Sequence, residues 1–81
     1  GDNNMNQDDL CILIKEALDA DDNIDINSSS DNIPEWDSLG HLSVLTALDD
    51  ATGGKASSLS DLSEATSVTK IVDILKSNEI I

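Results

Sequence analysis

The chain contains no phenylalanine, no tyrosine and no arginine, and it has one tryptophan, one cysteine, one proline and one histidine. Each scarcity excludes something. With a single aromatic residue among 81, any core must be built from Leu, Ile, Val and Ala; such aliphatic side chains fill compact helical interiors well. One cysteine, Cys11, rules out an intramolecular disulfide and a cysteine-based zinc centre. Basic charge is nearly missing: four lysines face seventeen acids, for a net charge of −13. Phosphate backbones and anionic lipid surfaces would be repelled, so neither nucleic acid nor an acidic membrane is expected as a partner. Basic proteins, in contrast, would be steered in by the field. Self-repulsion predicts that salt or divalent cations stabilise the fold. No long apolar run is present, and no basic segment precedes a shorter one. Neither a signal peptide nor a transmembrane helix is expected, and a cytoplasmic location follows as the default.

What is present is a small set of helical stripes. At this length one domain, 1–81, is expected, with residues 1–6 disordered or derived from a tag. Leu10, Leu13, Ile14, Ala17 and Leu18 recur at i, i+3, i+4, i+7 and i+8, which predicts a helix over 8–20. Asp8 and Asp9 suit its N-terminal end, and Cys11 falls at the boundary of the stripe. Residues 21–37 are rich in Asp, Asn and Ser without helical period. They read as a long ordered loop pinned by Ile24, Ile26 and Ile33, with Pro34 stopping any helix from upstream. A second helix is expected over 38–51, capped by Asp37 or Ser38 and stopped by Gly53 and Gly54. Leu39, Leu42, Leu45 and Leu48 lie near one face, with Val44 beside them. A short helix or turn is expected over 59–64, with Leu59 and Leu62 inward. A last helix over 67–77, capped by Thr66 or Ser67, carries the stripe Val68, Ile71, Val72 and Leu75. The expected fold class is all-α: a small four-helix bundle of three main helices and one short one, with a long loop between the first and second.

The sites with chemistry are few. The alternation Asp19, Asp21, Asn23, Asp25, Asn27 looks like part of a calcium loop. An EF-hand from Asp19 would need Gly and Glu where Ile24 and Ser30 stand, so that reading is rejected, and only weak divalent binding is expected. Cys11 has only Lys15 nearby to activate it and reads as a structural thiol. His41 reads as an exposed polar side chain, and Trp36 as a packing residue over the loop. No nucleophile and base stand at a recognisable spacing, so an enzyme is not expected.

Trp36-Asp37-Ser38-Leu39 opens the second helix. Together with the anchored loop before it, the glycine break after it, the short helix, and Thr66-Ser67-Val68 opening the last, this order resembles the acyl carrier proteins over about residues 10–76. The resemblance implies that Ser38 carries 4′-phosphopantetheine, placed there from coenzyme A by a phosphopantetheinyl transferase. Acyl groups would then ride on the arm as thioesters and be presented to acyl-loading, synthase or acyltransferase enzymes. It also implies a monomer docking to basic surfaces through Glu35, Asp37, Leu39, Leu42, Asp49 and Asp50. Physics fits these roles. A phosphodiester at a helix N-terminus meets free N–H groups and the positive end of the macrodipole. Charged rims speed encounter while adding little affinity. Two departures are notable. Gly40 and His41 stand where members serving general fatty-acid synthesis usually keep acids, and 51–56 lacks their bulky residues. Both lean towards a dedicated fatty-acid, polyketide or other specialised lipid pathway. A D-alanyl or aminoacyl carrier using the same serine, and an unmodified acidic docking module, are the alternatives. An aliphatic interior also predicts that a carried chain can fold back among Leu42, Leu45, Ile71 and Leu75.

Overall fold

A computed structural model of the chain describes residues 6–80. It is all-helical, with three α-helices, two short 3₁₀ turns and no strand among the described residues. Helix α1 spans Gln7–Leu18, α2 spans Ser38–Ala51 and α3 spans Val68–Ser77. The 3₁₀ turns, Ala56–Ser58 and Ser60–Glu64, stand between α2 and α3, where the sequence predicts one short element. No described helix is long and apolar enough to cross a membrane.

Local chemistry sets each boundary. Asn6 caps α1: its Oδ1 accepts from the Asp9 N–H at 2.8 Å, and Asp9 Oδ2 accepts from the Asn6 N–H. This reciprocal capping box satisfies two amides that the helix start leaves free. Asn6 thus serves as the helix cap; residues 1–5 of the expected disordered or tag-derived end lie outside the described residues. The helix stops at Leu18, two residues before the expected end, because Asp19 turns left-handed with φ 53°. Lys15 folds back to donate to the Ala20 and Asp22 carbonyls. Asp37, not Ser38, caps α2, its Oδ1 accepting from the Gly40 N–H at 2.8 Å. Gly53 and Gly54 follow that helix with φ of 66° and 92°, a region side chains disfavour. Ser67 caps α3 through the Lys70 N–H.

Residues 19–37 form turns without a regular helix. Ile24, Ile33 and Trp36 from this stretch are buried and pin it to the core. It is also clasped to the start of α3. Ser30 N–H donates to the Thr66 carbonyl, Val68 N–H to the Ser28 carbonyl, and Thr69 Oγ1 to the Ile26 carbonyl. Ser29 and Ser67 form an isolated antiparallel bridge there.

The core joins Leu10, Ile14 and Leu18 of α1 to Val44 and Leu48 of α2 and to Val68, Ile71, Val72 and Leu75 of α3. Each such side chain removed from water contributes about 1.5–3 kcal/mol. Two expectations for α2 are corrected. Its four leucines do not share one face: Leu39 and Leu42 are 75% and 58% exposed, while Leu48 is fully buried. The inward stripe is His41, Val44 and Leu48, with Leu45 half-buried. A leucine every third residue drifts around a helix that needs about 3.6 residues per turn, so Leu39 and Leu48 face nearly opposite ways. His41, read as exposed, is buried at 7% exposure.

Candidate functional site

Ser38 is the first residue of α2 and is exposed. Asp37 Oδ1 occupies the Gly40 amide, so the Asp37, Ser38 and Leu39 amides are the ones left without an intrahelical acceptor at this helix start. The serine hydroxyl thus stands beside free N–H donors at the positive end of the helix dipole.

The chain approaches Ser38 through a turn that closes tightly on α2. A Cβ at Gly40 would collide with the Glu35 carbonyl oxygen and crowd Leu18 Cδ2. Glycine is what lets the Glu35 carbonyl lie against the first turn of the helix. His41 is the next residue along it. Trp36 Nε1 donates to His41 Nδ1 at 3.0 Å, and His41 Nε2 lies 2.8 Å from the Leu62 carbonyl oxygen. Indole nitrogen only donates, so Nδ1 is the acceptor and the ring proton sits on Nε2, donating to Leu62. The two rings are stacked with centroids 6.2 Å apart. One imidazole therefore ties together the approach to Ser38, α2 and the second 3₁₀ turn. Both of its nitrogens are engaged, which leaves none to act as a base toward Ser38.

A cleft of about 520 Å³ opens beside Ser38, lined by Trp36, Asp37, His41, Leu42, Leu45 and Thr66 among others. On the other flank of α2, Leu39, Leu42, Asp49 and Asp50 share a shallow groove with Ala17 of α1. Of the acids expected to meet partners, Asp37 and Asp50 are exposed. Glu35 and Asp49 are half-buried, and Glu35 Oε1 and Asp49 Oδ1 are enclosed without a hydrogen-bond partner. Leu39 and Leu42 stand out from the surface one turn apart, directly after Ser38. The structure thus gathers Ser38, Asp37, Leu39 and Leu42 at one end of α2 and sets Asp49 and Asp50 at the other.

Cys11 is buried, and burial, then Asp8, then Asp25, push its thiol pKa up. Among the described residues no cluster of His, Cys, Asp and Glu could hold a metal ion. Gly40 and the Trp36–His41–Leu62 bridge are what sequence reasoning missed. The signal for the bridge is the spacing of 41, 44 and 48, which marks one helical face and places the histidine on it. No protein-family model, curated protein or solved structure matches this chain.

Proposed function

We propose that this protein is an acyl carrier whose prosthetic arm, 4′-phosphopantetheine, is attached at Ser38. The observation that supports the reading best is the setting of that serine: exposed, first in its helix, beside free amides, with a cleft that Leu42 helps to wall and with bare Leu39 next to it. A transferred phosphodiester would meet those amides and the helix dipole. On attachment, Ser38 Oγ bonds to a phosphorus of coenzyme A, the bond from that phosphorus to the adenosine bisphosphate portion breaks, and the serine proton passes to a base of the transferase. The carrier does no further chemistry; it presents thioesters to acyl-loading, synthase or acyltransferase enzymes in a specialised lipid or polyketide pathway.

On this reading the second 3₁₀ turn takes the place of the short helix in a four-helix carrier bundle, and 19–37 is its long first connection. Leu39 and Leu42 form the apolar contact on docking, with Asp37 and Asp50 as the exposed acids meeting basic rims and Glu35 and Asp49 at the margins. Pairs of that kind speed encounter and still let the partner leave.

Incubation with coenzyme A, magnesium and a broad-specificity phosphopantetheinyl transferase, followed by intact mass, tests this. Wild type gains one phosphopantetheine group and Ser38→Ala gains none. A folded wild-type protein that gains nothing removes the carrier reading, including its D-alanyl and aminoacyl forms, and leaves an acidic docking module.

A further inference from the structure

We propose that a chain tethered at Ser38 runs along the outer seam between α2 and the two 3₁₀ turns, and that the Trp36–His41–Leu62 bridge keeps it out of the core. The inference rests on the reading that Ser38 is the attachment point, and it adds a path and the residues that set it. The cleft beside Ser38 does not end there. A second hollow, of about 330 Å³, adjoins it through the shared walls Leu45 and Ser63 and continues past Ala56 and Leu59 to Asp49. Together the two follow α2 from its first residue to its last turn, about 16 Å at about 1.5 Å of rise per residue. Trp36, Leu42 and Leu45 give the first hollow a largely apolar wall, and Leu45, Ala56 and Leu59 carry an apolar strip on through the second, between Thr46, Ser57 and Ser60.

The alternative path leads between α2 and the second 3₁₀ turn toward Ile71 and Leu75. These residues are fully buried and line neither hollow. The bridge lies across that entrance: Trp36, His41 and Leu62 are each buried, and the imidazole spans from α2 to the turn. Entry would part His41 from the Leu62 carbonyl or from the indole. An alkyl chain has no polar atom to replace either bond, so it would leave buried donors and acceptors unpaired. On the seam it covers Leu42, Leu45 and Leu59 and breaks no hydrogen bond of the bridge. The fold-back expected from an aliphatic core is thus redirected: Leu42 and Leu45 meet the chain, while Ile71 and Leu75 do not.

The path is tested without depending on the carrier chemistry. In a Ser38→Cys protein with Cys11→Ala, the new thiol displaces methanesulfinate from octyl methanethiosulfonate and holds an octyl chain by a mixed disulfide; the methyl reagent gives the control. Methyl and amide NMR shifts are then compared. The expected result is changes at Leu45, Ala56 and Leu59, with Ile71, Leu75 and the Trp36 indole N–H resonance unmoved. Shifts at Ile71 and Leu75 with loss of the indole signal overturn the proposal, and so does an octyl chain that moves nothing. In the same background His41→Ala should bring Ile71 and Leu75 into the affected set; if that variant fails to fold, the octyl-against-methyl comparison still decides. Octanoyl-pantetheine loaded by a transferase onto the unaltered protein should repeat the pattern. Failure to load would count against the carrier reading alone.

Discussion

At Gly40 a single methyl group would meet the carbonyl oxygen of Glu35 and the end of Leu18, one of them rigid backbone. Gly40→Ala should therefore cost about 1–3 kcal/mol, the range for overpacking a filled site, even though alanine favours helices. Urea unfolding measures it; a midpoint at or above wild type would mean that residues 33–36 move away easily. Cys11 carries a second prediction at this scale. Its thiol pKa is raised, first by burial and then by Asp8 and Asp25, so the folded state holds the proton more tightly than the unfolded chain does. The contribution to stability is fully present below the unfolded thiol's pKa and is lost as pH rises through the folded one. Unfolding midpoints followed upward through the alkaline range should fall more steeply in wild type than in Cys11→Ala. Parallel curves would remove Cys11 from the account.

Among the elements, α2 divides its leucines between two jobs. Leu48 is fully buried, and Leu48→Ala should destabilise by about 2–5 kcal/mol. Leu39→Ala should leave stability within about 0.5 kcal/mol, since its side chain stands in solvent. On the proposed function it should slow transfer of phosphopantetheine about fivefold, the rate equivalent of about 1 kcal/mol lost from docking. Equal rates for Leu39→Ala and wild type would take Leu39 out of the contact. The same helix shows where the sequence was legible. The ends of α2 and α3 follow from caps and stops that act within a few residues, namely Asp37, Gly53 and Ser67, and such signals survive in a bare sequence. The inward face of α2 did not, because leucines at every third position spread from one side of the helix to the opposite one and the choice is made by packing against α1. His41 was illegible for a related reason. Its partners are an indole five residues earlier and a backbone carbonyl 21 residues later, and only the folded chain brings them to one ring. The serine at the head of α2 was visible because its setting is local; the cleft beside it was not, since Thr66 and Ser63 come from the far end of the chain.

For the molecule as a whole, charge is the dominant fact. A net −13 on 81 residues, with four cationic side chains, means that folding gathers like charges into a small volume. Added sodium chloride shortens the reach of that repulsion, to about 10 Å at 0.1 M, so melting temperature should climb between low salt and physiological ionic strength. A flat or falling curve would show that few of these charges feel one another.

The clasp between residues 28–30 and the start of α3 has a consequence in time. Its members stand far apart along the chain, Thr69 and Ile26 by 43 positions. Closure over such a span waits until what lies between has packed. During synthesis α2 and its serine emerge before α3 exists. Thr66, one wall of the cleft, arrives with the clasp. Until then the cleft beside Ser38 lacks one wall, and on the proposed function a transferase that reads both the serine and that wall would act only on finished molecules.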